Sequence, residues 1–146
     1  MSTTPTTPTP QNRKRNRLVI GAVTAVTAAA LVAGAGYWWQ DRDKLSQASA
    51  EDCRLAQRIV TEGGEISTGP VPAAERWWRE IGAERRAKMK DGYLGAKISR
   101  YEGWAVETAR KSPEAPSAKD VKNLQEEAQG HCSDAGVTLT MPPLGS

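Results

Sequence analysis

Apolar and polar positions divide this chain into unequal stretches. From Leu18 to Gly36 the run LVIGAVTAVTAAALVAGAG carries no charge and no proline, and Thr24 and Thr27 are its only polar side chains. Beyond Gln40 the pattern changes: apolar residues recur at spacings of three and four, the period of helices with one buried face. Leu45, Ala48, Cys53, Leu55, Ala56, Ile59 and Val60 share one arc of a helical wheel, with Glu51, Arg54, Gln57 and Arg58 outside it. The spacing predicts a first helix that ends near Gly63-Gly64, followed by a loop over EISTGPVP.

A second helix should begin around Pro72, which suits an early helical position, and turn Ala74, Trp77, Trp78, Ile81 and Met89 inward. Asp91-Gly92 is its expected end, unless it runs on through Gly92 into the third. That third run, from about Tyr93 to Lys111, puts Leu94, Ile98, Tyr101, Ala105 and Thr108 on one face. The fourth starts at Ser117, whose hydroxyl can cap the helix with Asp120 three residues on, and Val121, Leu124, Ala128 and Cys132 line its inner side. No stretch alternates long enough to argue a strand. The expected fold class is all-α: a single transmembrane helix followed by a small disulfide-tied bundle of three to four helices.

The first apolar run explains the transmembrane part of that expectation. Extended through Tyr37, Trp38 and Trp39, it is long enough at about 1.5 Å per residue to cross a hydrocarbon core of about 30 Å. The aromatic triplet suits the interface between bilayer and water, and Arg13, Lys14, Arg15 and Arg17 on the other flank orient the N-terminus to the cytoplasm. The competing reading is a cleaved secretory signal, with release after Ala35 in the small-residue site Ala33-Gly34-Ala35. Gly21, Ala25, Ala29 and Ala33 recur every four residues and offer a face on which two such helices could pair into a homodimer, though an alanine-rich helix makes such stripes by chance.

Five regions follow. Residues 1–17, opening with STTPTTPTP, read as a disordered basic cytoplasmic tail. Residues 18–39 are the transmembrane helix, 40–48 a juxtamembrane linker, 49–136 the extracytoplasmic helical domain and 137–146 a flexible C-terminal tail. Paired prolines at 70 and 72, 113 and 116, and 142 and 143 punctuate the exported part.

Composition and charge narrow the function. With 146 residues the chain holds one small domain at most, and the four cations before the apolar run account for the whole formal net charge of +3. The exported part is close to neutral, which argues against a nucleic-acid partner. The two cysteines, Cys53 and Cys132, both fall on apolar edges of predicted helices outside the membrane, so a disulfide from first helix to last is expected.

Candidate chemistry is thin. His131 beside Cys132 does not reach the three or four ligands of a zinc site, and no serine-nucleophile, phosphate-loop or dinucleotide motif is present. No cofactor, metal or catalytic residue is therefore expected, and His131 reads as a solvated residue at a helix end. Glu75, Glu80, Glu84, Glu102 and Glu107 are the carboxylates from which an envelope glycan hydrolase would be built. Pairs such as Glu75 with Arg79 read instead as surface salt bridges, and a hydrolase would require a cleft with a buried glutamate. The segment ERWWREIGAERRAKMK is the most distinctive: either an interfacial helix, or a helix whose Trp77 and Trp78 supply the core. The expected function is a binding or accessory module of the cell envelope, not an enzyme. Its partners would be the bilayer and an envelope protein or surface component, met through Trp77, Trp78 or Trp104.

Overall fold

The computed structural model describes residues 45–146. The expected tail, transmembrane helix with its flanking Arg13 to Trp39, and small-residue stripe from Gly21 to Ala33 lie outside the described residues. Four helices follow in order: α1, Ala50–Ile66; α2, Val71–Lys88; α3, Gly92–Ala109; and α4, Ala118–Gly130. Among the described residues there is no strand, so the domain is all-helical. Among them, too, no helix is long and apolar enough to cross a membrane.

Helix α1 begins where Ser49 accepts a hydrogen bond from the Asp52 amide at 3.1 Å. It does not stop at Gly63-Gly64 but continues to Ile66. A Cβ at Gly63 would stand 2.9 Å from a ring carbon of Tyr101 and 3.1 Å from Trp77, and one at Gly64 would stand 2.7 Å from Pro142. The glycines serve close approach between α1, α2, α3 and the C-terminal segment. That packing offsets a helix-propensity penalty of about 1 kcal/mol apiece.

Helices α2 and α3 are separate, and the break lies upstream of the glycine expected to make it. Met89 is extended, with φ −80° and ψ 121°, and Asp91 caps α3 by accepting from the Leu94 amide at 2.8 Å. The turn is held from a distance. Asp52 of α1, itself buried, accepts from the amides of Lys90 at 3.0 Å and Asp91 at 2.8 Å. Helix α4 starts as expected: Ser117 and Asp120 form the reciprocal capping pair, each side chain bonding the other's amide.

Helix α3 is central, with Leu94, Ile98 and Tyr101 buried in one cluster with Ile59 and Val60 of α1 and Leu124 of α4. Cys53 and Cys132 are both fully buried and form the expected disulfide across a Cα–Cα distance of 5.9 Å. Two expected boundaries need correction. Residues 137–146 are not a loose tail: Leu139 and Met141 are buried in the core. Three glutamines satisfy that extended backbone as a neighbouring strand would. Gln129, Gln57 and Gln125 accept from the amides of Leu139, Thr140 and Met141 at 2.6, 2.8 and 2.7 Å, and Tyr101 Oη donates to the Pro142 carbonyl at 2.8 Å.

The linker expected over 40–48 likewise gives way to structure by residue 46. The Ala48 amide donates to the His131 carbonyl at 2.8 Å, and Gln47 Nε2 to that of Gly130 at 3.0 Å. His131 is not solvated but buried. Its Nδ1 lies 2.9 Å from the Ser46 carbonyl oxygen and 3.0 Å from the Ser46 hydroxyl, which ties the segment before α1 to the imidazole ring. The exposed ring of Tyr93 stacks on it with centroids 6.1 Å apart.

Candidate functional site: the groove between α2 and α3

Small residues govern how α2 and α3 meet. Gly82 of α2 and Gly95 of α3 are both buried, and where side chains are missing the helices leave a groove of about 390 Å³. Trp78, Arg79, Arg85 and Arg86 line it from α2, Ser99 and Glu102 from α3. An adjoining hollow toward Met89 shares Arg85, Arg86 and Ser99.

Glu102 is the chemical centre of this groove. It is fully buried, and Arg85 Nε donates to its Oε1 at 2.7 Å, with only 12% of the arginine side chain exposed. Its second oxygen, Oε2, is buried with no hydrogen-bond partner. Burial pushes the Glu102 carboxyl above its ordinary range, opposed by the hydrogen bond from Arg85 and by the charges of Arg85 and Arg86. A carboxylate oxygen left unmatched in a protein interior is costly, and such groups concentrate at functional sites.

Gly82 leaves a narrow slot beside that oxygen, closed on one side by Arg86. A Cβ there would stand 3.3 Å from Arg86 Nη1, a tight contact, and 3.7 Å from Glu102 Oε2, so the guanidinium and the free oxygen border one small position. The rim is aromatic: Trp78 is 45% exposed, the largest side chain left open among the described residues.

The tryptophans singled out from the sequence therefore part company. Trp77 packs against the core and its Nε1 donates to Glu62 at 3.1 Å, Trp104 also packs against the core, and Trp78 faces outward over the groove. The carboxylates separate too. Glu75 pairs with Arg110, the residue that caps the end of α3, at 2.7 Å and not with Arg79, which is left to the groove. Glu84 bonds Arg58 at 2.6 Å and Lys88 at 2.8 Å, Glu107 pairs with Arg110 at 2.9 Å, and Glu80 is exposed. These are surface ion pairs worth little each.

Of these five carboxylates Glu102 alone is buried. The signal was in the spacing: Leu94, Ile98 and Glu102 stand four residues apart on one helical row. Cys132 is spent in the disulfide, and among the described residues no three histidine, cysteine or acidic side chains gather as a metal site would need. Comparison with family models, curated proteins and solved structures finds no match to this chain.

Proposed function

We propose that the chain is a single-pass membrane protein, N-terminus in the cytoplasm and helical domain outside, whose domain binds another component of the cell envelope. The basic flank, apolar run and aromatic triplet support the anchoring, and a buried disulfide suits an exported domain. The observation that carries the binding role is the groove. Three arginines and a half-exposed tryptophan converge there on a carboxylate with one oxygen unmatched. Convergent polar groups beside an aromatic surface in a preformed hollow are the usual anatomy of a binding site.

One observation favours a second reading, an envelope glycan hydrolase: a buried glutamate with a raised pKa in a cleft is what a general acid requires. Such hydrolases work with two carboxylates, however, and Glu102 is the one acidic residue among those lining the groove, with an oxygen already held by Arg85. Binding is the better-supported role.

The test is the intact mass of the protein, under nonreducing conditions, recovered separately from membranes and from medium. Full-length protein in membranes, lighter than its reduced form by two hydrogens, is the expected result. A species starting at Gly36 in the medium would replace the anchored reading with that of a small secreted helical protein.

A further inference from the structure

The groove makes three demands on whatever fills it. Arg79, Arg85 and Arg86 stand against the single carboxylate of Glu102, so the walls carry an excess of positive charge and call for an anion. Glu102 Oε2 lacks a partner and, as an acceptor, calls for a hydroxyl or N–H donor. Trp78 offers a flat apolar platform and calls for a ligand with a C–H face. The anion and the donor must also lie close together on the ligand, because Arg86 Nη1 and Glu102 Oε2 border the same slot over Gly82.

A sugar acid meets all three demands in one ring. We propose that the groove between α2 and α3 is a binding site for an acidic saccharide of the hexuronate type. Its carboxylate pairs with Arg86 and Arg79, a neighbouring hydroxyl donates to Glu102 Oε2, and the ring face lies on Trp78. Arg86 is exposed and its Nη1 borders the same position over Gly82 as the covered Oε2, so binding requires the guanidinium to swing outward onto the sugar carboxylate as the hydroxyl approaches that oxygen. Arg85 does not recognise the ligand; it holds Oε1 and thereby aims the free oxygen at the slot. The assignment rests on the binding-module reading and names the ligand class of that site.

Gly82 provides a test that separates recognition from folding. Replacing it with alanine adds a methyl group to the slot while improving helix propensity by up to about 1 kcal/mol, so a purely structural groove would be unharmed or stabilised. The full chain, in micelles of a detergent without a sugar headgroup, is titrated with glucuronate, glucose, inorganic phosphate and the dipeptide acetyl-Ala-Ala. Binding is read from the Gly82 and Ser99 amide resonances and the Trp78 indole. The expected result is saturable binding of glucuronate, with glucose weaker by about tenfold or more for want of the charged contacts. Gly82→Ala and Arg86→Ala should each weaken glucuronate by about tenfold, with the Gly82→Ala melting temperature equal to or above that of the parent.

Phosphate matching glucuronate would mean an adventitious anion site only and would overturn the assignment. Tighter binding of the dipeptide would overturn it in favour of a peptide carboxylate. Glucuronate binding that ignores Gly82→Ala, or no saturable shift at all, would overturn it outright. None of these results bears on whether the protein is anchored, which the fractionation decides separately.

Discussion

Helix α3 has two flanks, and they are finished differently. Toward α1 and the C-terminal segment the packing is closed: Leu94, Ile98 and Tyr101 share a buried cluster with Ile59 and Val60, and the polar atoms buried there are matched, Tyr101 Oη by the Pro142 carbonyl and the Asp52 carboxylate by the amides of Lys90 and Asp91. Toward α2, Ile81 joins the core, but glycines and an arginine–glutamate pair share the contact, one carboxylate oxygen has no partner, and an indole stands open. Both flanks use glycine for close approach. On the first, the space is filled by Tyr101, Trp77 and Pro142; on the second it is bordered by the flexible ends of Arg86 and Met89 and by the Glu102 carboxylate. A domain of this size has little stability to spare, so a buried acid with an unmatched oxygen beside a groove points to use and not to support.

Breaking the closed side should therefore hurt folding most. Replacing Cys53 and Cys132 together with alanine removes a crosslink spanning 79 positions and should lower unfolding free energy by about 4 kcal/mol in urea titration. A loss under about 1 kcal/mol would contradict the role given to that crosslink. Next comes the contrast between adjacent tryptophans. Trp77→Ala should destabilise by about 2 kcal/mol, since it empties space against Gly63 and abandons Glu62, whereas Trp78→Ala should stay within about 0.5 kcal/mol. Equal losses would erase the distinction between core and rim.

Tyr101→Phe keeps the ring and deletes its bond to Pro142, for an expected loss of about 1 kcal/mol and faster amide exchange at Leu139 to Met141. The smallest effect concerns pH. Because burial raises the Glu102 pKa in the folded protein, with Arg85 and Arg86 of α2 opposing it, its contribution is fully present below the ordinary glutamate value near about 4.3. It fades as pH rises through the folded value. Glu102→Gln lacks that loss, so its stability relative to the parent should improve as pH rises above the ordinary glutamate range. Parallel curves would count against a strained carboxylate. Glu84, Asp120 and Glu127, held below their ordinary values by Lys88, Ser117 and Lys97 first of all, act the other way and weaken both proteins as acid protonates them.

The closed side was legible in the sequence because it obeys local rules. Ser117 and Asp120 announce a helix start within four residues, and the three-and-four spacing of Leu94, Ile98 and Tyr101 identifies the central face. The pairing of Cys53 with Cys132 follows from compartment and apolar position. What escaped depends on partners distant in sequence. Gly63 and Gly64 look like a helix end until Tyr101 and Pro142 arrive to fill the space, and the break after Lys88 depends on Asp52 reaching across from α1. The C-terminal segment looks loose because Gln57, Gln125 and Gln129, ordinary surface residues by composition, supply its acceptors. Arg79 and Glu102 depend on distant partners too: Glu75 takes Arg110 rather than Arg79, and Glu102 is buried against Arg85 of α2.

The tie between Cys53 and Cys132 also decides how the domain answers a pull. Tension applied between residue 45 and the far end of the chain runs from Leu45 to Cys53, crosses the sulfur bridge to Cys132 and continues to Ser146. Residues 54–131, which hold nearly all of the four helices and the whole groove, sit in a covalent loop that backbone tension bypasses, so force reaches them only through the hydrogen bonds and packing of the arms. Only the short arms outside the loop can be drawn out. The first of them is clasped at Gln47 and Ala48 by the carbonyls of Gly130 and His131. A domain strung in this way can be tugged from both ends while the α2–α3 surface keeps its shape.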